Sequence, residues 1–289
     1  MTDPLHWGTY CDHSVSSIDK VLRRYLTCSQ SVCPSPGIRQ PAMNEIAVDL
    51  KPFEDAAKQM QGWRFEYEPE VVGGDVPWNY DDIASRLLGD SICVIDLGTG
   101  GGETYLGLLE AKNCQAFATE EWERNAPIAA TRLKGVASVT RCSSLVLPFP
   151  EETFDLILCR HEAIDPSEIT RVLKPGGRLL SQQVIHDFMF ELIDTFPDMA
   201  IFPDFFSDYK GDFSHLGLHI RQAEEFRYKV RFHELGHLVY QLSATPWTIP
   251  GFSVATHLDG LKLLGEKLMN DNGLQFTAGY YLLEVEKGI

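Results

Sequence analysis

The sequence predicts an α/β protein built on a doubly wound, mostly parallel sheet, with an N-terminal helical lid and a C-terminal αβ elaboration. Three observations predict it. Short apolar runs alternate with helix-patterned stretches from residue 91 to about residue 185. A glycine-rich turn joins the first apolar run to the first helix-patterned stretch. After residue 188 the rhythm changes to long strands of alternating polarity and apolar helical stripes.

The chain of 289 residues accommodates one large domain with an elaboration, or two small ones. Residues 1–41 read as an N-terminal extension. In it, "SIDKVLRRYL" spaces Ile18, Val21, Leu22, Tyr25 and Leu26 as one face of a helix, and "CSQSVCPSPGIRQP" follows as a linker. Residues 42–90 read as short helices with an aromatic loop, "GWRFEYEPEVVGGDVPWNYDD", together forming the lid segment. The main domain then runs from 91 to 289. "ICVIDL" is a buried strand, "CQAFAT", "VASVTR" and "FDLILCR" are the next three strands, and "ETYLGLLEAK", "ERNAPIAATRLK" and "DPSEITRVLK" are helices. "PGG" is expected to turn the chain into a fifth strand, "RLLSQQV". Alternation at this spacing implies right-handed βαβ crossovers.

Beyond Phe188, "ELIDTF" reads as helix and residues 197–213 as an aromatic loop. Residues 197–255 are expected to cover an acceptor. In "EFRYKVRFH", Phe226, Tyr228, Val230 and Phe232 alternate with Arg227, Lys229, Arg231 and His233, as in a strand with one wet face. Leu235, Leu238, Val239 and Leu242 begin a helical stripe, a further helix covers about residues 256–270, and "LQFTAGYYLLEVE" is the last strand.

Acidic residues outnumber basic ones 41 to 25, for a formal charge of −16. A field of that sign repels nucleic acid and anionic membranes. The seven cysteines form no CxxC pair, and Cys93 and Cys159 sit inside apolar runs, as small buried hydrophobes do. That usage suits a reducing compartment. "MTDPLHWGTYCDHSVSS" lacks the charged start and apolar stretch of a signal peptide, and no run approaches a membrane span. The expectation is a soluble cytoplasmic protein, monomeric or homodimeric.

"VIDLGTGGGE" carries the strongest chemical signal. A strand ends at Asp96, and Gly98, Thr99, Gly100 and Gly102 form the turn into a helix. The dinucleotide fingerprint fails because its last glycine position is Glu103, and the phosphate loop fails for want of GK[ST]. No Lys or Arg lies between Leu87 and Ala111. Asp96 and Glu103 would oppose a pyrophosphate and welcome a cationic ligand. The sulfonium and ammonium of S-adenosylmethionine fit that requirement, and glycines let the backbone approach it closely. Glu120, at the end of the next strand, is placed to accept ribose hydroxyls, and Trp122 to lie against adenine or to sit in the core.

Asp96, the three alternate glycines, Glu120, "LPFPEETFDLIL" and "RVLKPGGRLL" together resemble the class I S-adenosylmethionine-dependent methyltransferases, in particular the small-molecule group with the methyltransferase-11 domain, over residues 90–185. "LVYQLSATPWTIPGF" is similar to C-terminal regions of bacterial members. The resemblance implies a Rossmann-like methyltransferase fold and S-adenosyl-L-methionine as cofactor. The cofactor-binding set it implies is Asp96, Gly98, Thr99, Gly100, Gly102, Glu120, Trp122, Ser143, Ser144 and Arg160. One position departs from the family: Ser143 stands where an aspartate usually receives the adenine amine, and a hydroxyl accepts that bond more weakly.

The expected acceptor is a small molecule methylated on oxygen or nitrogen, held beyond the carboxyl ends of the strands. His161 is the first candidate base and His186 the second. Each histidine also suits a purely structural role at a strand end. Trp78, Tyr80, Tyr240 and Trp247 are candidate walls for an aromatic acceptor, and Arg160 and Glu162 a candidate ion pair. "HELGH", residues 233–237, has the spacing of a zinc peptidase. The alternation through Phe232 puts His233 at a strand end, so the motif reads as a strand-to-helix junction and no metal is expected. Two rivals remain: a zinc hydrolase using that motif, and a cofactor-binding interaction protein without turnover.

Overall fold

The computed structural model describes residues 43–89, 91–110 and 112–289. The helix expected at 18–26 lies outside the described residues. Helix α1 (Met43–Gln59) is continuous, where short helices were expected, and strand β1 (Glu70–Val72) interrupts the aromatic loop that follows. Helix α2 (Tyr80–Leu88) starts because Asn79 accepts backbone N–H groups of Asp81 and Asp82 at 3.0 and 3.2 Å. The expected strands and helices follow: β2 (Cys93–Leu97), α3 (Glu103–Leu109), β3 (Gln115–Thr119), α4 (Ala126–Arg132), β4 (Ser138–Thr140), β5 (Phe154–Arg160) and α5 (Pro166–Val172). Then come β6 (Leu173–Val184), a 3₁₀ turn (Phe190–Asp194), α6 (Phe205–His215), β7 (Leu218–Phe232), α7 (Leu235–Ala244), α8 (Leu258–Asn270) and β8 (Leu274–Lys287).

All eight strands form one sheet, in the order β1-β7-β8-β6-β5-β2-β3-β4. β4, β3, β2, β5 and β6 run parallel, and β8 enters antiparallel between β6 and β7. The chain moves outward from β2 to β4 and then returns to the other side of β2, which puts the switch point between β2 and β5. Both faces of this parallel half are covered. Ile95, Leu97, Ile157 and Leu179 pack under α5 and α6, and Val94, Leu156, Leu158 and Leu180 pack under α2 and α3.

Two expectations are corrected here. "PGG" turns the chain at Gly176, with φ +76°, but inside the strand and not ahead of it. β6 already pairs at Leu173 with Phe154, then breaks register before Arg178 meets Leu156. A Cβ on Gly177 would lie 2.9 Å from the carbonyls of Lys174 and Phe154, so the glycine permits a close backbone approach inside the strand. Residues 197–213 are not all loop, because α6 occupies 205–215. Asp204 caps it at Ser207, and Tyr209 and Phe213, one turn apart, bury against the sheet. "ELIDTF" is helical as expected, its first four residues lying in the 3₁₀ turn.

β7 has 15 residues and β8 has 14, each on the order of 45–50 Å long. β6 stops pairing where Val184 meets Tyr280, but β8 and β7 continue together to Leu274 and Phe232. Their projecting ends overhang the carboxyl edge of the parallel strands. Leu50 of α1, Leu238 and Leu242 of α7, and Leu261 and Leu264 of α8 bury against Val230, Phe232, Phe276 and Ala278, a second core beyond the first. Gly236 lets α1 approach α7, because a Cβ there would run into the Phe53 ring. Gly236→Val is therefore expected to lower unfolding free energy by about 1–3 kcal/mol and to expose α1 to protease. Denaturant melts with limited proteolysis check this, and adding Phe53→Ala should restore part of the loss.

Candidate active site

The glycine loop leaves β2 at the switch point. Gly98 and Gly100 have φ of +64° and +62°, which side-chain-bearing residues rarely adopt. Space forbids a side chain as well: a Cβ on Gly98 would lie 2.7 Å from the Glu162 side chain, and one on Gly100 would lie 2.7 Å from Trp63 Cδ1. Thr99 N donates to the Thr119 carbonyl at 2.9 Å, which ties the loop to the end of β3.

Glu120 completes that tie. One carboxylate oxygen accepts Gly100 N and the other accepts Trp122 N, both at 2.7 Å, with only 3% of the residue exposed. Burial pushes its carboxyl up to about 7, against the pull of those two N–H donors. Burial likewise raises Asp96 to about 7, opposed by the Thr99 hydroxyl and then by the charge of Arg160. The loop is thus bounded by two carboxyls poised to ionise when a cation or strong donors approach.

Trp122 packs edge-on against Trp63 and Trp247, with ring centroids 5.0 and 6.0 Å away. Trp63 belongs to a strap, residues 58–66, that crosses the loop. Gly62 N donates to the buried Asn125 side chain at 3.1 Å, Arg124 bonds the Lys58 carbonyl, and Glu66 N donates to the Tyr240 hydroxyl at 3.2 Å. Ser143 accepts Leu145 N at 3.3 Å in the turn after β4, and Ser144 beside it is buried.

At the end of β5, Arg160 bonds Asp81 at 3.2 Å and Thr104 at 2.8 Å and lies over the Tyr80 ring. His161 has φ +62°, and its N–H donates to the Gln182 carbonyl at 2.9 Å. Its ring lies 5.1 Å from that of Tyr280. Desolvation, and then the Arg160 charge, lower the imidazole pKa to about 3. His186 stands 3.8 Å from Asp204, away from the loop. The four proposed wall aromatics separate. Trp78 and Tyr80 join the core under α2, where Trp78 bonds Gln182 at 2.8 Å; Tyr240 packs on Phe65 and Tyr67; and Trp247 joins the tryptophan group.

"HELGH" does straddle the junction of β7 and α7. His233 bonds Glu70 at 2.7 Å, and His237 stacks on Tyr67 at 4.7 Å. Among the described residues no three His, Cys, Asp or Glu side chains gather as a metal site. Nor, among them, is any helix long and apolar enough to cross a membrane.

Sequence reading missed Trp63, Asn125, Tyr280 and Thr104. Each reaches its partner across a long stretch of chain, and periodicity carries no such information. Only the Gly62–Trp63 step inside an aromatic loop hinted at a close approach.

The strand order, the glycine loop at the switch point and the acid ending β3 define the Rossmann-like fold of the class I methyltransferases. Residues 95–181 match the model of the methyltransferase-11 family, a methyltransferase domain. The resemblance read from the sequence therefore holds. Over 167 residues the chain is 28% identical to an uncharacterized methyltransferase, YcgJ, of Bacillus subtilis (strain 168). That match spans 54% of this chain and 60% of that protein. The crystal structure of Bacillus subtilis YcgJ superposes with a TM-score of 0.53 at 18% identity, over 73% of this chain and 98% of that one. The [4+2]-cyclase SpnF superposes with a TM-score of 0.52 at 16% identity, over 86% and 97%.

The raised Glu120 carboxyl has a stability consequence. The folded chain holds that proton more tightly than the unfolded chain, so the contribution of Glu120 falls as pH rises from its ordinary 4.5 to about 7. Glu120→Gln lacks this term. Its stability relative to wild type should improve between about pH 5 and about pH 7.5, as read from denaturant melts at both.

Proposed function

We propose that the chain transfers a methyl group from S-adenosylmethionine to an oxygen or nitrogen of a small molecule. The observation that carries this reading is the glycine loop clamped by Glu120, whose backbone is too closely approached for any Cβ and whose bounding carboxyls favour a cationic ligand. The residues fit the cofactor. Asp96 and Glu120 would receive its polar and cationic groups, and Gly98, Thr99, Gly100 and Gly102 would form the cradle. Trp122, Ser143, Ser144 and Arg160 would border the rest. Bound there, S-adenosylmethionine supplies a methyl group activated by a sulfonium. The chain contributes alignment, exclusion of water and a base. His161 is that base in this reading, because its ring lies exposed just past the end of β5 and is neutral at physiological pH. The formal charge of −16 argues against a nucleic-acid acceptor.

Calorimetric titration with S-adenosylhomocysteine tests the reading. Wild type should bind in the micromolar range, and Glu120→Ala should bind about tenfold or more weakly. No binding by wild type overturns the proposal. Acidification should also weaken binding. Below about 7, Asp96 and Glu120 take up protons and cease to be anionic acceptors. Affinity should therefore fall from about pH 8 to about pH 6, by up to tenfold per pH unit for each carboxylate required.

A further inference from the structure

Past the glycine loop, the sheet carries a row of rings on the face that bears Asp96. Cross-strand partners share a face, and alternate residues return to it. Asp96 pairs with Leu158, Arg160 with Gln182, Val184 with Tyr280, and Tyr280 with Phe226. Asp96, Arg160, Gln182, Tyr280, Phe226 and Tyr228 therefore look the same way. Ring centroids step from His161 to Tyr280 at 5.1 Å, from Tyr280 to Tyr228 at 6.1 Å, and from Tyr228 to Phe226 at 6.4 Å. His161 is exposed and the other three are half-buried, so the row presents π surface. The loop that carries Val76 and Trp78 borders it. That loop leaves β1 through Gly73 and Gly74, at φ +95° and +114°, where an added side chain would meet nothing within 4 Å.

The polar inventory of this row is narrow. Arg227, Lys229 and Glu225 point to the opposite face by the same alternation. Arg160 is held by Asp81 and Thr104. Asp75 stands at the outer end, where it acts on the Tyr228 hydroxyl. A row of this kind holds a flat ring by offset stacking and offers no ion-pair partner within it. Its inner end offers a proton acceptor, the His161 imidazole.

We propose that the His161–Tyr280–Tyr228–Phe226 row is the acceptor subsite and that the acceptor is a neutral aromatic hydroxyl compound whose hydroxyl lies at His161. This rests on the methyltransferase reading. The hydroxyl proton passes to the imidazole, the phenolic oxygen bonds to the methyl carbon, and the carbon–sulfur bond breaks with its electron pair kept by sulfur. The products are an aryl methyl ether, S-adenosylhomocysteine and an imidazolium that returns its proton to water. The Arg160 cation favours the developing phenolate.

Saturation-transfer NMR on the full chain, with and without S-adenosylhomocysteine, tests this with 2-naphthol and benzene-1,2-diol against cyclohexanol and choline. The two phenols should give signals. Tyr280→Leu should weaken them about tenfold, and Tyr280→Phe should retain them. Both variants should bind S-adenosylhomocysteine as wild type does. His161→Gln should still bind 2-naphthol, while formation of its methyl ether falls about a hundredfold or more. Binding of choline or cyclohexanol in place of the phenols overturns the proposal, as do phenol signals indifferent to Tyr280→Leu. If S-adenosylhomocysteine fails to bind, the cofactor reading falls by itself, and phenol signals sensitive to Tyr280→Leu still locate the aromatic subsite.

Discussion

The buried carboxylate of Glu120 holds the site together. Its two oxygens receive one N–H from the glycine loop and one from the turn after β3, each at 2.7 Å. Without that acceptor, two backbone donors would face a protein interior, at about 1–3 kcal/mol apiece. The clamp therefore fixes the loop relative to β3 and keeps Gly98 and Gly100 in left-handed conformations. The same burial that makes the hydrogen bonds strong makes the charge expensive, and the carboxyl is pushed to about 7. A scaffold requirement thus leaves an acid able to take or release a proton near neutrality at the place where a ligand would sit.

The long β7–β8 pair has a similar double consequence. Its projecting ends need a second core, which α1, α7 and α8 supply. Docking α1 there delivers the strap of residues 58–66 to the glycine loop. The strap is anchored on both sides, to Asn125 and Arg124 on the parallel half and to Tyr240 on α7. Trp63 consequently covers the loop because of packing that takes place well away from it. A cover of that kind shields the loop from water, which strengthens every electrostatic interaction beneath it.

The parts of the fold that local patterning controls were legible in the sequence. β2, β3 and β5 are apolar runs buried on both faces, and Phe226 to Phe232 alternate as a half-buried strand must. The glycine loop and Glu120 stood out because few backbones need three alternate glycines followed by an acid one strand later. What escaped depends on distant partners. β1 is only three residues long and is a strand because β7 lies beside it. α6 was hidden by aromatic residues whose burial against the sheet is a tertiary fact. "PGG" read as a turn ahead of its strand, but β6 begins before it, at Leu173, because Phe154 lies beside that residue. The proposed wall of Trp78, Tyr80, Tyr240 and Trp247 failed as a group because they occupy three separate clusters.

Arg160 links the two ends of the site. Asp81 and Thr104 hold its guanidinium between α2 and α3, and its charge reaches Asp96 on one side and His161 on the other. On Asp96 it opposes the effect of burial and favours the carboxylate. On His161 it adds to desolvation and favours the neutral imidazole. The methyl transfer proposed above would draw on both states, an anion where the cationic donor binds and an unprotonated imidazole beside the acceptor. One fixed cation favours both of these resting charge states, and a lysine on a mobile stem would do so less reliably than a guanidinium bonded on two sides.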